Sequence, residues 1–199
     1  MIELSKISNE APYQRFLSEY KKAFDLDQPN IEAICVSSFD ASKNEPDSRF
    51  VNLKNITDNE WIFFTNYNSP KAQQFSSNGN ISVSLFWHKT NCQIRIKAAI
   101  KKTSSTYSDD YFKSRYKSKN LLAIVSDQSN DINSYEDFLI KYENLKGQDL
   151  DLSLRPNFWG GYTFTPYYFE FWKGHENRLN KREVFTFTNN IWESSFLQP

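Results

Sequence analysis

Apolar residues near the N-terminus fall at Phe16, Leu17, Tyr20, Ala23 and Phe24, the three-and-four spacing of one helix face. Asn9-Glu10-Ala11-Pro12 puts a capping residue and a first-turn proline just before them. A helix is therefore predicted over 9–24, ended by the polar run Asp25 to Asn30. The period then shortens to two. Strands are predicted at 34–39, 49–54, 61–65, 81–87 and 93–101, with turns at 40–47, Thr57-Asp58-Asn59 and Lys89-Thr90-Asn91. Segments 49–54 and 61–65 read as the two arms of a hairpin about Thr57-Asp58-Asn59. Ser69-Pro70-Lys71 reads as a helix start, with serine as the cap and proline in first position.

Helical spacing returns over 105–117 and 134–145, around a polar stretch at 126–133. After Pro156, aromatic strands are predicted at 161–165, 168–173, 183–188 and 191–197. This order predicts one α+β domain over 1–199. Its core would be a small antiparallel β-barrel with flanking helices and a helical insertion over about 105–146.

Composition agrees with a strand-rich core. Of the 199 residues 17% are aromatic, while glycine numbers only 5. The 24 basic and 24 acidic residues cancel, which removes any global attraction to nucleic acid or to an anionic membrane. No apolar run is long enough to span a bilayer, and MIELSKISNE has no signal-peptide core, so a cytoplasmic protein is expected. Cys35 and Cys92, far apart in apolar strands, are expected to be buried free thiols.

Several chemistries lack their motifs. There is no H-E-x-x-H or C-x-x-C for a metal, no G-x-G-x-x-G or P-loop, and no G-x-S-x-G elbow, with only two histidines in the chain. An enzyme of this composition would depend on a bound organic cofactor. What remains is cationic. Alternation along Arg49 to Lys54 sends Arg49 and Lys54 to opposite strand faces. At 63–71 a strand ends at Thr65 and a helix opens at Ser69, so backbone N–H groups, a hydroxyl and Lys71 converge as an anion site. Simple capping beside a solvated lysine explains that pattern equally well. Tyr111 and Arg115 share a helix face with Lys119 one turn on, which suits a phosphate monoester but also describes an ordinary basic helix surface.

Taken in order, SRFVNLK, FFTNYNSPK, LFWHKTNCQIRIKA, YFKSR, SDQS, FWGGY, EFWKGHENRL and the closing W…LQP resemble the pyridoxine (pyridoxamine) 5′-phosphate oxidase family from about Pro29 to Pro199. The resemblance implies a split β-barrel that forms a homodimer with FMN at the subunit interface. It implies oxidation of pyridoxine or pyridoxamine 5′-phosphate at the 4′ carbon to pyridoxal 5′-phosphate. Hydride would pass to flavin N5, and dioxygen would be reduced to hydrogen peroxide.

By position the resemblance implies Arg49 and Lys71 on the FMN phosphate, with Lys54, Phe64 and Thr65 lining the cofactor. Gln93 would bond the flavin ring, Gln128 and Ser129 would reach FMN from the other subunit, and Trp172 and Arg182 would close the site. Lys54, Tyr111, Arg115, Lys119 and Asn180 would surround the substrate, with Arg178 over its pyridine as the catalytic residue. The family pattern is not matched at Pro70, where an arginine is usual, at Lys119 for serine, at Asn180-Lys181 for His-Asp, or at Phe196 for arginine. Two alternatives follow. One is a related FMN-binding barrel with a shifted substrate; the other is a non-enzymatic barrel binding single strands of nucleic acid, which the zero net charge disfavours.

Overall fold

A computed structural model describes residues 1–199. The chain runs β1 (Glu3–Ile7), α1 (Ala11–Asp25), β2 (Ala33–Asp40), β3 (Glu45–Asn52), β4 (Asn55–Asp58), β5 (Glu60–Asn66), α2 (Pro70–Ser77) and β6 (Asn80–Trp87). It continues with β7 (Cys92–Lys102), α3 (Ser105–Ser114), α4 (Lys117–Val125), α5 (Tyr135–Lys146), β8 (Trp159–Lys173), β9 (Lys181–Thr188) and β10 (Ile191–Leu197). One sheet orders the strands β1-β4-β5-β8-β7-β6-β2-β3, with β9 added to β8 and β10 to β9. Only the β1–β4 pairing is parallel. This is an α+β split barrel, as the sequence predicts.

The fold turns on β8. Residues Trp159 to Phe164 pair with β5, Tyr168 to Lys173 pair with β9, and β7 runs beside both halves. Lys97 faces Tyr168 and Ala98 faces Pro166, so Tyr167 is an extra residue, a bulge that shifts the side-chain phase. Tyr162 and Phe164 enter the core before it, Phe169 and Phe171 after it. The two strands predicted here are therefore one, and the apparent break was the change of phase.

Helix α1 fills the barrel with its apolar face. The ring of Phe16 lies 4.5 Å from Trp61 and 5.6 Å from Trp87, and Tyr13 meets Phe169 edge-on at 5.3 Å. Its N-cap is Glu10, which makes no side-chain cap bond; the predicted capping by Asn9 gives way to the Ser8 hydroxyl, which accepts the Glu10 N–H. Three further local expectations change. β3 pairs with β2, and the turn at Asp58 joins β5 to the short strand β4 instead. Ser69 holds the N-cap position of α2 as expected, but it makes no side-chain cap bond, because its hydroxyl donates to the Asn66 carbonyl (2.7 Å). Cys92 is buried but Cys35 only partly so, and both are free thiols.

On the same side of β8 as Phe171, Lys173 reaches back to α1. Glu19, fully buried, accepts from Arg15 Nη1 (2.5 Å), Lys173 Nζ (2.9 Å) and Lys22 Nζ (3.1 Å). Burial raises the pKa of this carboxyl, but the bonds from Lys173, Arg15 and Lys22 outweigh it and hold the group at about 2, against an ordinary 4.5. A depressed folded-state pKa stabilises the fold above the unfolded value and ceases to do so as pH falls through the folded one. Glu19 should thus contribute up to about 3 kcal/mol at neutral pH, lost between about pH 4.5 and about pH 2. Urea denaturation of wild type and Glu19→Gln across that window should show their stability difference closing as pH falls. A difference that stays constant would refute the assignment.

Candidate active site

The end of β3, the end of β5, the start of α2 and the helices α3 and α4 enclose a cavity of about 1010 Å³. Five cations face it, Arg49, Lys54, Lys71, Arg115 and Lys119, against a single carboxylate, Asp47. Arg49 and Lys54 share this cavity, which corrects the expectation that they lie on opposite faces. β3 stops at Asn52, the fully buried Leu53 still bonds the Glu32 carbonyl beside β2, and Lys54 changes partner, its N–H bonding the Ile62 carbonyl of β5 (2.8 Å). Alternation does not carry across such a change of partner strand.

The cations form two groups. Lys71 is buried, and its ammonium makes one long hydrogen bond, to Thr65 Oγ1 (3.4 Å). Burial and then the neighbouring Arg49 push its pKa down. Lys54 is likewise pushed down, first by burial and then by Lys119 and Arg115, with Glu32 opposing. Arg49 and Lys71 thus make one end of the cavity, and Lys54, Arg115 and Lys119 the other.

Arg115 is the most exposed to penalty of the five. Its Nη1 is buried without any partner, its Nη2 makes only a 3.4 Å bond to the Lys119 carbonyl, and burial lowers its pKa. The guanidinium lies over the Trp159 ring at 4.4 Å. Arg115 does not continue α3; it is an extended residue after Ser114, and Lys119 belongs to α4. The break between the helices, not a shared face, brings Tyr111, Arg115 and Lys119 to one place.

Between the two cationic ends stands an aromatic wall. Phe64 stacks on Tyr111 at 3.7 Å and on Trp159 at 5.3 Å, all three rings nearly parallel. Gln128 and Ser129 also line this cavity, and the Gln128 Oε1 accepts from Thr65 Oγ1 (3.2 Å) and the Asn66 N–H (3.3 Å). They thus sit beside the Arg49–Lys71 end of the cavity in their own chain.

The remaining predicted residues lie elsewhere. Gln93, Trp172 and Arg182 stand opposite one another across β7, β8 and β9, forming a half-exposed row. Trp159 and Trp172 mark opposite ends of β8, roughly 40 Å of extended chain apart. Arg182 donates through Nε to the buried Glu170 (2.8 Å), which also accepts from Arg95 (2.9 Å) and Tyr168 (3.1 Å). Arg178 is exposed with φ of 60°, in a turn closed by its own N–H to the His175 carbonyl (3.0 Å). Asn180 Oδ1 accepts the His175 N–H (3.0 Å), so this side chain braces the turn. Sequence reasoning missed Asp47, Trp159 and Glu170; the only local signal was their adjacency to Arg49, Gly160-Gly161 and Trp172.

Comparison with known proteins places the chain in a family. The family model for pyridoxamine 5′-phosphate oxidase matches residues 21–149, and that for the pyridoxine 5′-phosphate oxidase C-terminal dimerisation region matches residues 159–199. The pyridoxine/pyridoxamine 5′-phosphate oxidase of Leptospira biflexa is 35% identical over 193 residues, 95% of this chain and 88% of that protein. The protein of the same name from Legionella pneumophila strain Paris is 36% identical over 200 residues, 98% of this chain and 92% of its own. Among solved structures, PhzG from Burkholderia lata 383, in complex with tetrahydrophenazine-1-carboxylic acid, superposes with a TM-score of 0.87 at 24% identity, covering 96% of this chain and 93% of that one. A pyridoxamine 5′-phosphate oxidase-related, FMN-binding protein from Nostoc punctiforme has a TM-score of 0.79 at 11% identity, covering 96% and 99%. The two structural matches share the fold, and the matched family models with the curated relatives show that this chain belongs to the pyridoxine/pyridoxamine 5′-phosphate oxidase family.

Proposed function

We propose that this protein oxidises pyridoxine or pyridoxamine 5′-phosphate to pyridoxal 5′-phosphate with FMN and dioxygen. The observation that carries the reading is the cavity with two cationic ends, an aromatic wall between them and a buried arginine donor without a partner. An empty arrangement of this kind is costly, and anions offset the cost. The residues fit FMN. Arg49 and Lys71 would take its phosphate, with Thr65, Gln128 and Ser129 beside them. Lys54, Arg115 and Lys119 would take the 5′-phosphate of the substrate, and Tyr111 its ring edge.

FMN held by Arg49, Lys71, Thr65, Gln128 and Ser129 would supply the two-electron acceptor that couples oxidation at the 4′ carbon to reduction of dioxygen to hydrogen peroxide. The chain's own work is positioning. Phosphate contacts remote from the reacting carbon hold a small ring in place, so that binding energy is spent on orientation. Cations on the cavity wall favour a ligand that gains negative charge. The row Gln93, Trp172 and Arg182, together with Arg178 and Asn180, does not line that cavity in its own chain. In a homodimer built through residues 159–199 it would complete the partner's cavity instead.

Protein reconstituted with FMN and given pyridoxine 5′-phosphate should yield aldehyde and peroxide in equal amounts. A yellow protein that forms neither would point to the related barrel with a shifted substrate. A colourless one would remove the flavin reading.

A further inference from the structure

Arg49 is already answered from within its own chain. Nη1 donates to Ser38 Oγ (2.7 Å) and the Val36 carbonyl (3.3 Å), while Nη2 donates to Gln74 Oε1 (3.1 Å) and to the Asp47 carboxylate. Gln74 Nε2 donates in turn to Asp47 Oδ2 (3.3 Å), and Ser38 Oγ to Gln74 Oε1 (2.5 Å). These four side chains close a ring at the Arg49–Lys71 end of the cavity. Asp47 is the only carboxylate on the cavity wall, and it stands where the cofactor phosphate needs positive charge. Burial opposes its ionisation, but the bonds from Gln74 and Arg49 prevail and lower its pKa, so the charge persists at neutral pH. Pro70, the first residue of α2, has no N–H to offer a phosphate.

We propose that Asp47 is a built-in competitor for the cofactor phosphate, holding the guanidinium edge of Arg49 that the phosphate takes, so that FMN binds by exchanging one anion for another. The inference rests on the flavin reading of the cavity. Its consequence is selectivity. A fixed carboxylate repels a phosphate carrying nearly two negative charges and leaves an uncharged tail unaffected. The chain should therefore separate FMN from riboflavin, the same ring without the phosphate, much less sharply than its cations alone would.

Flavin-fluorescence titrations of the full-length apo-protein, wild type and D47N, with FMN and with riboflavin test this. D47N keeps the shape and removes the charge. It should bind FMN about tenfold tighter, an advantage that shrinks with added salt, while riboflavin affinity stays within about twofold. D47S, which cannot hold the same ring, should show the same direction. FMN affinity unchanged or weakened in both variants overturns the proposal, because the carboxylate then orients Arg49 for the phosphate. Equal tightening toward FMN and riboflavin overturns it as well, since the charge would not act through the phosphate. A wild-type chain that binds neither flavin refutes the flavin reading itself, and the exchange with it.

Discussion

Replacing Arg115 with leucine should raise the KM for pyridoxine 5′-phosphate about 100-fold, the loss expected for a charge-assisted, bidentate phosphate contact, with a much smaller change in kcat. The same substitution should leave the ligand-free protein as stable as the wild type or slightly more so. The reason is that the guanidinium is a liability in the empty fold. Its Nη1 is buried without a partner, a condition that costs about 1–3 kcal/mol, and Lys54 repels it. Against that stands the stack on Trp159, worth about 1 kcal/mol. Steady-state kinetics and ligand-free thermal denaturation on one preparation check both halves. An unchanged KM alongside a lower melting temperature would make Arg115 a packing residue and take away the substrate-phosphate end of the cavity.

The largest stability effect should come from Phe169→Ala. Phe169 is fully buried and meets Tyr13 of α1 at 5.3 Å, Trp192 of β10 at 5.7 Å, Trp61 of β5 at 5.9 Å and Phe171 at 5.9 Å. One ring thus joins the N-terminal helix, the two halves of the sheet and the last strand. Truncation removes its transfer free energy and leaves a cavity that four rigid aromatics cannot collapse into, for a cost of about 3–5 kcal/mol. In a chain of this size that lowers the melting temperature by roughly 10 °C. Chemical denaturation should show the loss without a change in slope; a loss below about 1 kcal/mol would mean that the core repacks.

What could be read from the sequence depended on whether one face of an element meets the core and the other meets solvent. β7 alternates cleanly from Cys92 to Ala98 because Ile94 and Ile96 face the barrel while Arg95 and Lys97 face water. β1 shows no such contrast, lying at the sheet edge in a parallel pairing, and β4 has only four residues. Neither was predicted. α4 was hidden by the extended Arg115, which breaks the helical period just before it.

In the site, Lys71, Tyr111, Arg115 and Lys119 were legible as cations and a phenol, but the reason they converge was not. Convergence comes from the break between α3 and α4 and, for Lys54, from the change of partner strand after Leu53, both set by tertiary packing. Asp47 was unreadable for a different reason: a carboxylate two residues from an arginine is an ordinary surface pair until Ser38 and Gln74 close the ring around it. Glu170 likewise acquires its meaning only from Arg95, 75 residues away, and from Arg182.

The crowding of Lys54, Arg115 and Lys119 also bears on how long the molecule survives. Like charges held together weaken the segments that carry them, here the residue after β3, the break between α3 and α4, and the first turn of α4, and a ligand that binds only the folded chain stabilises it by mass action. Any local opening of α3 and α4 should become rarer as that ligand accumulates, which limited proteolysis with and without added anion would measure. Resistance to proteolysis is thus expected to rise with the anion concentration.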